Sequence, residues 1–196
     1  LITIGCYEFG FEESWEYEFR KFYEEVTPAN PKIPNSRPYT GNSDGASPAP
    51  RQGMDEWIRQ AIKYSNGGCW NNGSYGVRNM RSSNNLSVHA TGRAVDLSYR
   101  KTEKHPTANR KATMAFIRVV TANANALGLE CILDYLLKPY GRGWRCDRQR
   151  WRKYSKPTIQ GAPGGDWLHI EISPAMADSP ALVKQAFQRV FTELPH

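Results

Sequence analysis

Leu86-Ser-Val-His89-Ala-Thr-Gly92-Arg-Ala94-Val-Asp96-Leu-Ser-Tyr99 is the stretch on which the reading of this chain turns. Its second half alternates, so Ala94, Asp96 and Ser98 face one way along a strand and Val95, Leu97 and Tyr99 the other. Its first half carries His89 seven residues before Asp96, with Gly92 and mostly small residues between them. Far downstream, Asp166-Trp167-Leu168-His169-Ile170-Glu171-Ile172 repeats the pattern. There Leu168, Ile170 and Ile172 form an aliphatic face and leave Trp167, His169 and Glu171 on the opposite one. If the two strands are neighbours in one sheet, Asp96 and His169 project from the same surface, and His89 can fold over them. Two imidazole nitrogens and one carboxylate oxygen are the makings of a catalytic zinc site with an open coordination position. Asp166, just before that strand, is placed to serve as general base for a water there, and Glu171 can orient a ligand from behind.

Around these clusters, helical spacing of Met54, Trp57, Ile58, Ala61 and Ile62 predicts a helix closed by Asn66-Gly67-Gly68. A second helix is expected over 107–127 and a third after Ser179-Pro180, with Val183, Phe187, Val190 and Phe191 inward. Strands are expected at 75–78, 94–99, 129–137 and 167–172, and 66–74 reads as a loop. Before them, 12–26 reads as a short amphipathic helix and 27–50 as a Pro-, Gly- and Ser-rich linker or extended wrap. The expected organisation is therefore an N-terminal helix and extension over 1–50 and one α+β domain over 51–196, built on a small, mainly antiparallel sheet flanked by helices.

The chain has 196 residues, 39% of them hydrophobic, which suits one packed domain and excludes a disordered chain. No apolar run approaches the roughly 20 residues a membrane helix needs, so no membrane span is expected. The start has neither an initiator Met nor the pattern of a signal peptide, so the expectation is a domain of a longer protein. Net charge is +7, with Glu concentrated over 8–25 and Arg and Lys over 138–156 among Tyr140, Trp144, Trp151 and Tyr154. Such a basic stripe is either a solvated loop balanced by the acidic segment or a track for a polyanion such as an anionic cell wall. No nucleic-acid recognition motif accompanies it. Cys6, Cys69, Cys131 and Cys146 form no C-x-x-C pair; Cys131–Cys146 and Cys6–Cys69 disulfides or four reduced thiols are both open.

A histidine and an aspartate seven apart are common by chance, but Ser87-x-His89-x-x-Gly92-x-Ala94-x-Asp96 followed by Asp166-x-x-His169-x-Glu171 is not. In this pattern the chain resembles the zinc D-Ala-D-Ala carboxypeptidases and the L-alanyl-D-glutamate peptidases of phage endolysins, which share a fold with the hedgehog signalling domain. The resemblance spans roughly 52–173 and includes the upstream segment Val77-Arg78-Asn79. It implies a hedgehog/DD-peptidase fold, Zn2+ held by His89, Asp96 and His169, and Asp166 as base. It also implies Arg78 as the cation for a substrate carboxylate or developing oxyanion, and Ser87 as a hydrogen-bonding group behind the ligands. Val77 stands where the family has Cys, Ile170 where it usually has Phe, and Arg81 offers a second cation. Trp167 is a packing residue or part of the cleft lining. The activity implied is cleavage of the peptidoglycan stem peptide at the bacterial cell wall by a monomeric lysin domain, L-Ala-D-Glu endopeptidase first. A D-Ala-D-Ala carboxypeptidase and a non-catalytic, zinc-containing wall-binding module are the alternatives.

Overall fold

The computed structural model describes residues 36–81, 83–156 and 164–192. The helix expected over 12–26, and Cys6, lie outside them. Among the described residues the architecture is α+β: an open, six-stranded antiparallel sheet and four α-helices. The helices are α1 (Gln52–Tyr64), α2 (Arg110–Ala122), α3 (Pro174–Asp178) and α4 (Pro180–Thr192), with a 3-10 turn at Val88–Thr91. The strands are β1 (Trp70–Gly73), β2 (Ala94–Ser98), β3 (Leu129–Asp134), β4 (Arg142–Arg145), β5 (Arg150–Lys153) and β6 (Trp167–Ile172), in spatial order β1-β2-β6-β3-β4-β5.

The period-2 pattern decides which face is which. Val95 lies opposite Ile170, Leu97 opposite Leu168, and Ile132 opposite Ile170 on the other side of β6. All five are fully buried and pack beneath the helices. Three helices meet over them through aromatic side chains: Trp57 of α1 stands edge-on to Phe116 of α2 at 6.2 Å and to Phe187 of α4 at 5.5 Å. The Trp57 indole N–H is not wasted in that core, since it donates to the Leu127 carbonyl at 3.2 Å. Asn109 caps α2 by accepting from the Ala112 N–H at 2.8 Å, which sets its start three residues later than periodicity alone suggests.

Residues 36–50 are laid across the molecule as a strap. Arg93, the residue before β2, is completely buried and holds the strap down. Its guanidinium donates to Asp44 Oδ2 (2.9 Å) and Oδ1 (3.0 Å), to the Gly41 carbonyl, to Glu130 Oε2 (3.3 Å) and to the Ile172 carbonyl (2.7 Å). Thr40 also bonds Glu130, through Oγ1 at 2.7 Å, and Arg37 bonds the Leu129 carbonyl. A buried guanidinium is tolerated because every carboxylate and carbonyl around it accepts a hydrogen bond.

Four expectations need correction. The first edge strand is Trp70–Gly73, inside the segment read as a loop, and 75–78 forms no strand. Asn71-Asn72-Gly73 looks like a turn locally and becomes a strand only by pairing with β2. The 75–78 segment runs beside the 3-10 turn, with Gly76 N–H donating to His89 O, and a 3-10 turn offers no ladder to extend it. The second helix stops at Ala122 and the strand from Leu129 at Asp134. The basic 138–156 stretch, for which a hairpin or a loop is expected, forms the β4–β5 hairpin. Of the two alternatives left open for the cysteines, reduced thiols hold for Cys69, Cys131 and Cys146, all buried and free. Cys131 pairs with Arg145 in the ladder, which turns the next residue, Cys146, to the other face. Among the described residues no helix is long and apolar enough to cross a membrane.

Candidate metal centre

The face of the sheet away from the helices carries the polar cluster. Asp96 on β2 and His169 on β6 are direct cross-strand partners, so the antiparallel register itself sets them side by side. His89 arrives from the 3-10 turn. Ser87 caps that turn by accepting from the His89 N–H at 3.3 Å, and Gly92 ends it with a φ of +72°, a left-handed conformation that favours glycine. The turn thereby folds back over β2.

The three side chains converge. His169 Nδ1 lies 3.1 Å from Asp96 Oδ1, and His89 Nε2 lies 3.5 Å from the same oxygen. Their potential ligand atoms all fall within 4.8 Å of one another, the spacing of groups that could share one metal ion. Both histidines are buried, while the Asp96 side chain keeps 23% exposure, which leaves a way in from solvent.

The remaining ring nitrogens settle the tautomers a metal would require. His89 Nδ1 donates to the Ser74 carbonyl at 2.6 Å, which frees Nε2 to act as ligand. His169 Nε2 donates to Glu171 Oε1 at 2.9 Å, which frees Nδ1. Glu171 is held in turn by the Tyr39 hydroxyl, which donates to Oε2 at 2.6 Å. The donor set, two imidazoles and one carboxylate, each backed by a hydrogen bond or left open to solvent, could hold one metal ion.

Charge is distributed accordingly. Burial raises the Asp96 carboxyl, but hydrogen bonds from His169 and then His89 outweigh it and hold that group well below the usual carboxylate range. Burial alone would lower His169; hydrogen bonds to Asp96 and Glu171 win and push it up to about 9. Glu171 is buried, which raises it, yet the His169 and Tyr39 hydrogen bonds bring it below its ordinary value. Without a metal, both carboxylates thus favour the charged form of the His169 ring.

Asp166 sits just before β6, where its backbone carbonyl accepts from Tyr99 N–H and Ser98 Oγ, both at 3.1 Å. Its Oδ2 lies 3.5 Å from Arg100 Nη1. Its Oδ1 is buried with no hydrogen-bond partner, alone in this among side-chain atoms of the described residues. Leaving a carboxylate oxygen buried and unpaired is costly.

Other expected residues fall at varied distances from this chemistry. Ser87 touches His89 through the backbone, as a cap. Trp167 packs against Tyr135, with ring centroids 5.5 Å apart. Arg78 accepts from the Ser87 N–H through its carbonyl at 3.0 Å, while the residue itself is exposed, as is Arg81. Sequence reasoning missed Arg100, Ser74 and Tyr39. Arg100 directly follows Tyr99 and so lay within reach of the strand reading; nothing local marks Ser74 or Tyr39. Comparison with protein-family models, with curated proteins and with solved structures gives no match to this chain.

Proposed function

We propose that this chain is a zinc-dependent peptidase of the hedgehog/DD-peptidase fold that cleaves the stem peptide of bacterial peptidoglycan, with the L-Ala-D-Glu bond favoured, as the catalytic domain of a lysin. The observation that carries the reading is the convergence of His89, Asp96 and His169 within 4.8 Å; Asp166, three residues before His169 in the chain, has a buried, unsatisfied Oδ1. A zinc ion held by the three ligands supplies Lewis acidity for a scissile carbonyl and lowers the pKa of water to about 7.

The protein's own groups would supply the rest. With a metal bound, Ser74 and Glu171 would accept the one N–H left on each ring, His89 Nδ1 and His169 Nε2, and so orient the ligand nitrogens. Asp166 accepts the proton of the attacking water at its free oxygen and passes it to the leaving amine. Arg100, 3.5 Å from the other oxygen, orients Asp166 between turnovers. Arg78, on the segment beside the 3-10 turn, takes a carboxylate of the stem peptide.

The test is a set of three variants of the full chain assayed for zinc content and for clearing of purified cell walls. His89→Ala and His169→Ala are expected to lose both. Asp166→Ala is expected to retain zinc and lose about 10²–10⁴-fold in rate. Full activity of Asp166→Ala would remove it as base. Zinc binding without clearing by the unaltered protein would instead favour a wall-binding module.

A further inference from the structure

We infer that Tyr39 is a positioning residue of the metal centre: its hydroxyl fixes Glu171, and through Glu171 the imidazole of His169, in the orientation that presents Nδ1 to the metal. This rests on reading His89, Asp96 and His169 as the ligands. Tyr39 lies 132 residues before Glu171 in a segment that composition marks as a linker or extended wrap, and its hydroxyl donates to Glu171 Oε2 at 2.6 Å.

The other oxygen of the same carboxylate, Oε1, accepts from His169 Nε2 at 2.9 Å. Each oxygen of Glu171 therefore has its own task. A carboxylate tethered at one oxygen can still swing about its terminal torsion, which is a broad, soft rotor. Tethered at both, it cannot, and the ring that leans on it cannot turn either.

The hydroxyl is delivered by a fixed ring. Arg145 lies over the Tyr39 ring with its guanidinium carbon 4.3 Å from the centroid. The neighbouring Thr40 is tied to Glu130 at 2.7 Å, and Arg93 holds the Gly41 carbonyl two residues on. None of these anchors touches a ligand of the metal centre. The strap is held by one set of groups and uses another, Tyr39, to reach the site. It is part of the centre rather than a tether leading to it.

The experiment is zinc affinity of the metal-free full chain, measured by competition with a chromophoric chelator at fixed pH. The variants are Tyr39→Phe, Thr40→Val, Glu171→Ala and the double variant Tyr39→Phe/Glu171→Ala. Tyr39→Phe keeps the ring and is expected to weaken zinc binding about 10-fold, the low end for groups behind a ligand. Thr40→Val, which loosens the strap but leaves the hydroxyl, is expected to stay within about twofold. In the Glu171→Ala background, Tyr39→Phe is expected to have no further effect, because the group it acts through is gone. Unchanged affinity for Tyr39→Phe, or the same loss with and without Glu171, overturns the inference. Failure of the unaltered protein to bind zinc sinks both the ligand reading and this one. Normal binding with an indifferent Tyr39→Phe sinks this one alone.

Discussion

Zinc binding by the metal-free protein is expected to be coupled to a proton on His169. Held between Asp96 at 3.1 Å and Glu171 at 2.9 Å, that imidazole titrates near 9 rather than at its ordinary 6.5. At pH 7, about two pH units lower, the neutral ring is the minor form, on the order of 1 in 100 copies, so apparent zinc affinity sits roughly 100-fold below its high-pH limit. Affinity should rise about tenfold per pH unit from 7 toward 9 and then flatten, with close to one proton from this group released per zinc at neutral pH. Calorimetric titration in buffers of differing ionisation enthalpy counts that proton, and NMR of the metal-free protein locates the titration directly. The same linkage acts on the fold. A raised histidine pKa stabilises the metal-free protein fully below pH 6.5, and that contribution is lost as pH rises through about 9. The depressed Asp96 and Glu171 act oppositely, their contribution being present above ordinary carboxylate values and lost in acid. A His169 ring that titrates at or below 6.5 in the metal-free protein would refute the reasoning, because the clasp between two carboxylates could not then exist.

Arg93→Met leaves Asp44 and Glu130 without their buried partner, and the expected cost is about 3–5 kcal/mol in denaturant unfolding; a loss below about 1 kcal/mol would mean that the strap is not held this way. Gly92→Ala places a side chain at φ +72° and its Cβ 2.9 Å from the Arg51 side chain, so about 1–3 kcal/mol of destabilisation and weaker zinc binding are expected, read by thermal melting and chelator competition. Cys69, Cys131 and Cys146 are buried, and burial raises the Cys69 thiol to about 11, so none of the three is expected to react with a disulfide reagent until the protein unfolds.

The part of the site built on regular strands is legible in the sequence. Asp96 and His169 could be placed on one surface because alternation with Val95, Leu97, Leu168 and Ile170 specifies a face, and the ladder then pairs them directly. His89 was reachable because Gly92 lies between it and the strand, where a turn has to reverse. What escapes is whatever depends on irregular backbone. Ser74 touches His89 from a segment whose hydrogen bonds go to a 3-10 turn, and no periodicity reports such a pairing. Tyr39 and Arg93 are joined to the site and the sheet across gaps of 132 and 37 to 79 residues. In the sequence Tyr39 stands among Pro, Asn and Ser, and Arg93 follows Gly92 among small residues, where an arginine reads as a surface residue. The β1 misplacement has the same origin: Asn71 and Gly73 carry no strand propensity, and only the β2 edge makes that segment extended.

The proposal that these residues hydrolyse a stem peptide stands or falls most directly on the chemistry of the product. Zinc-loaded protein incubated with purified peptidoglycan should release fragments bearing a new amino terminus on D-Glu, identified by mass spectrometry after amine labelling, and chelation should abolish them. Release of D-Ala alone would redirect the reading to a carboxypeptidase, and the absence of any new terminus or free amino acid from the zinc-loaded protein would contradict it.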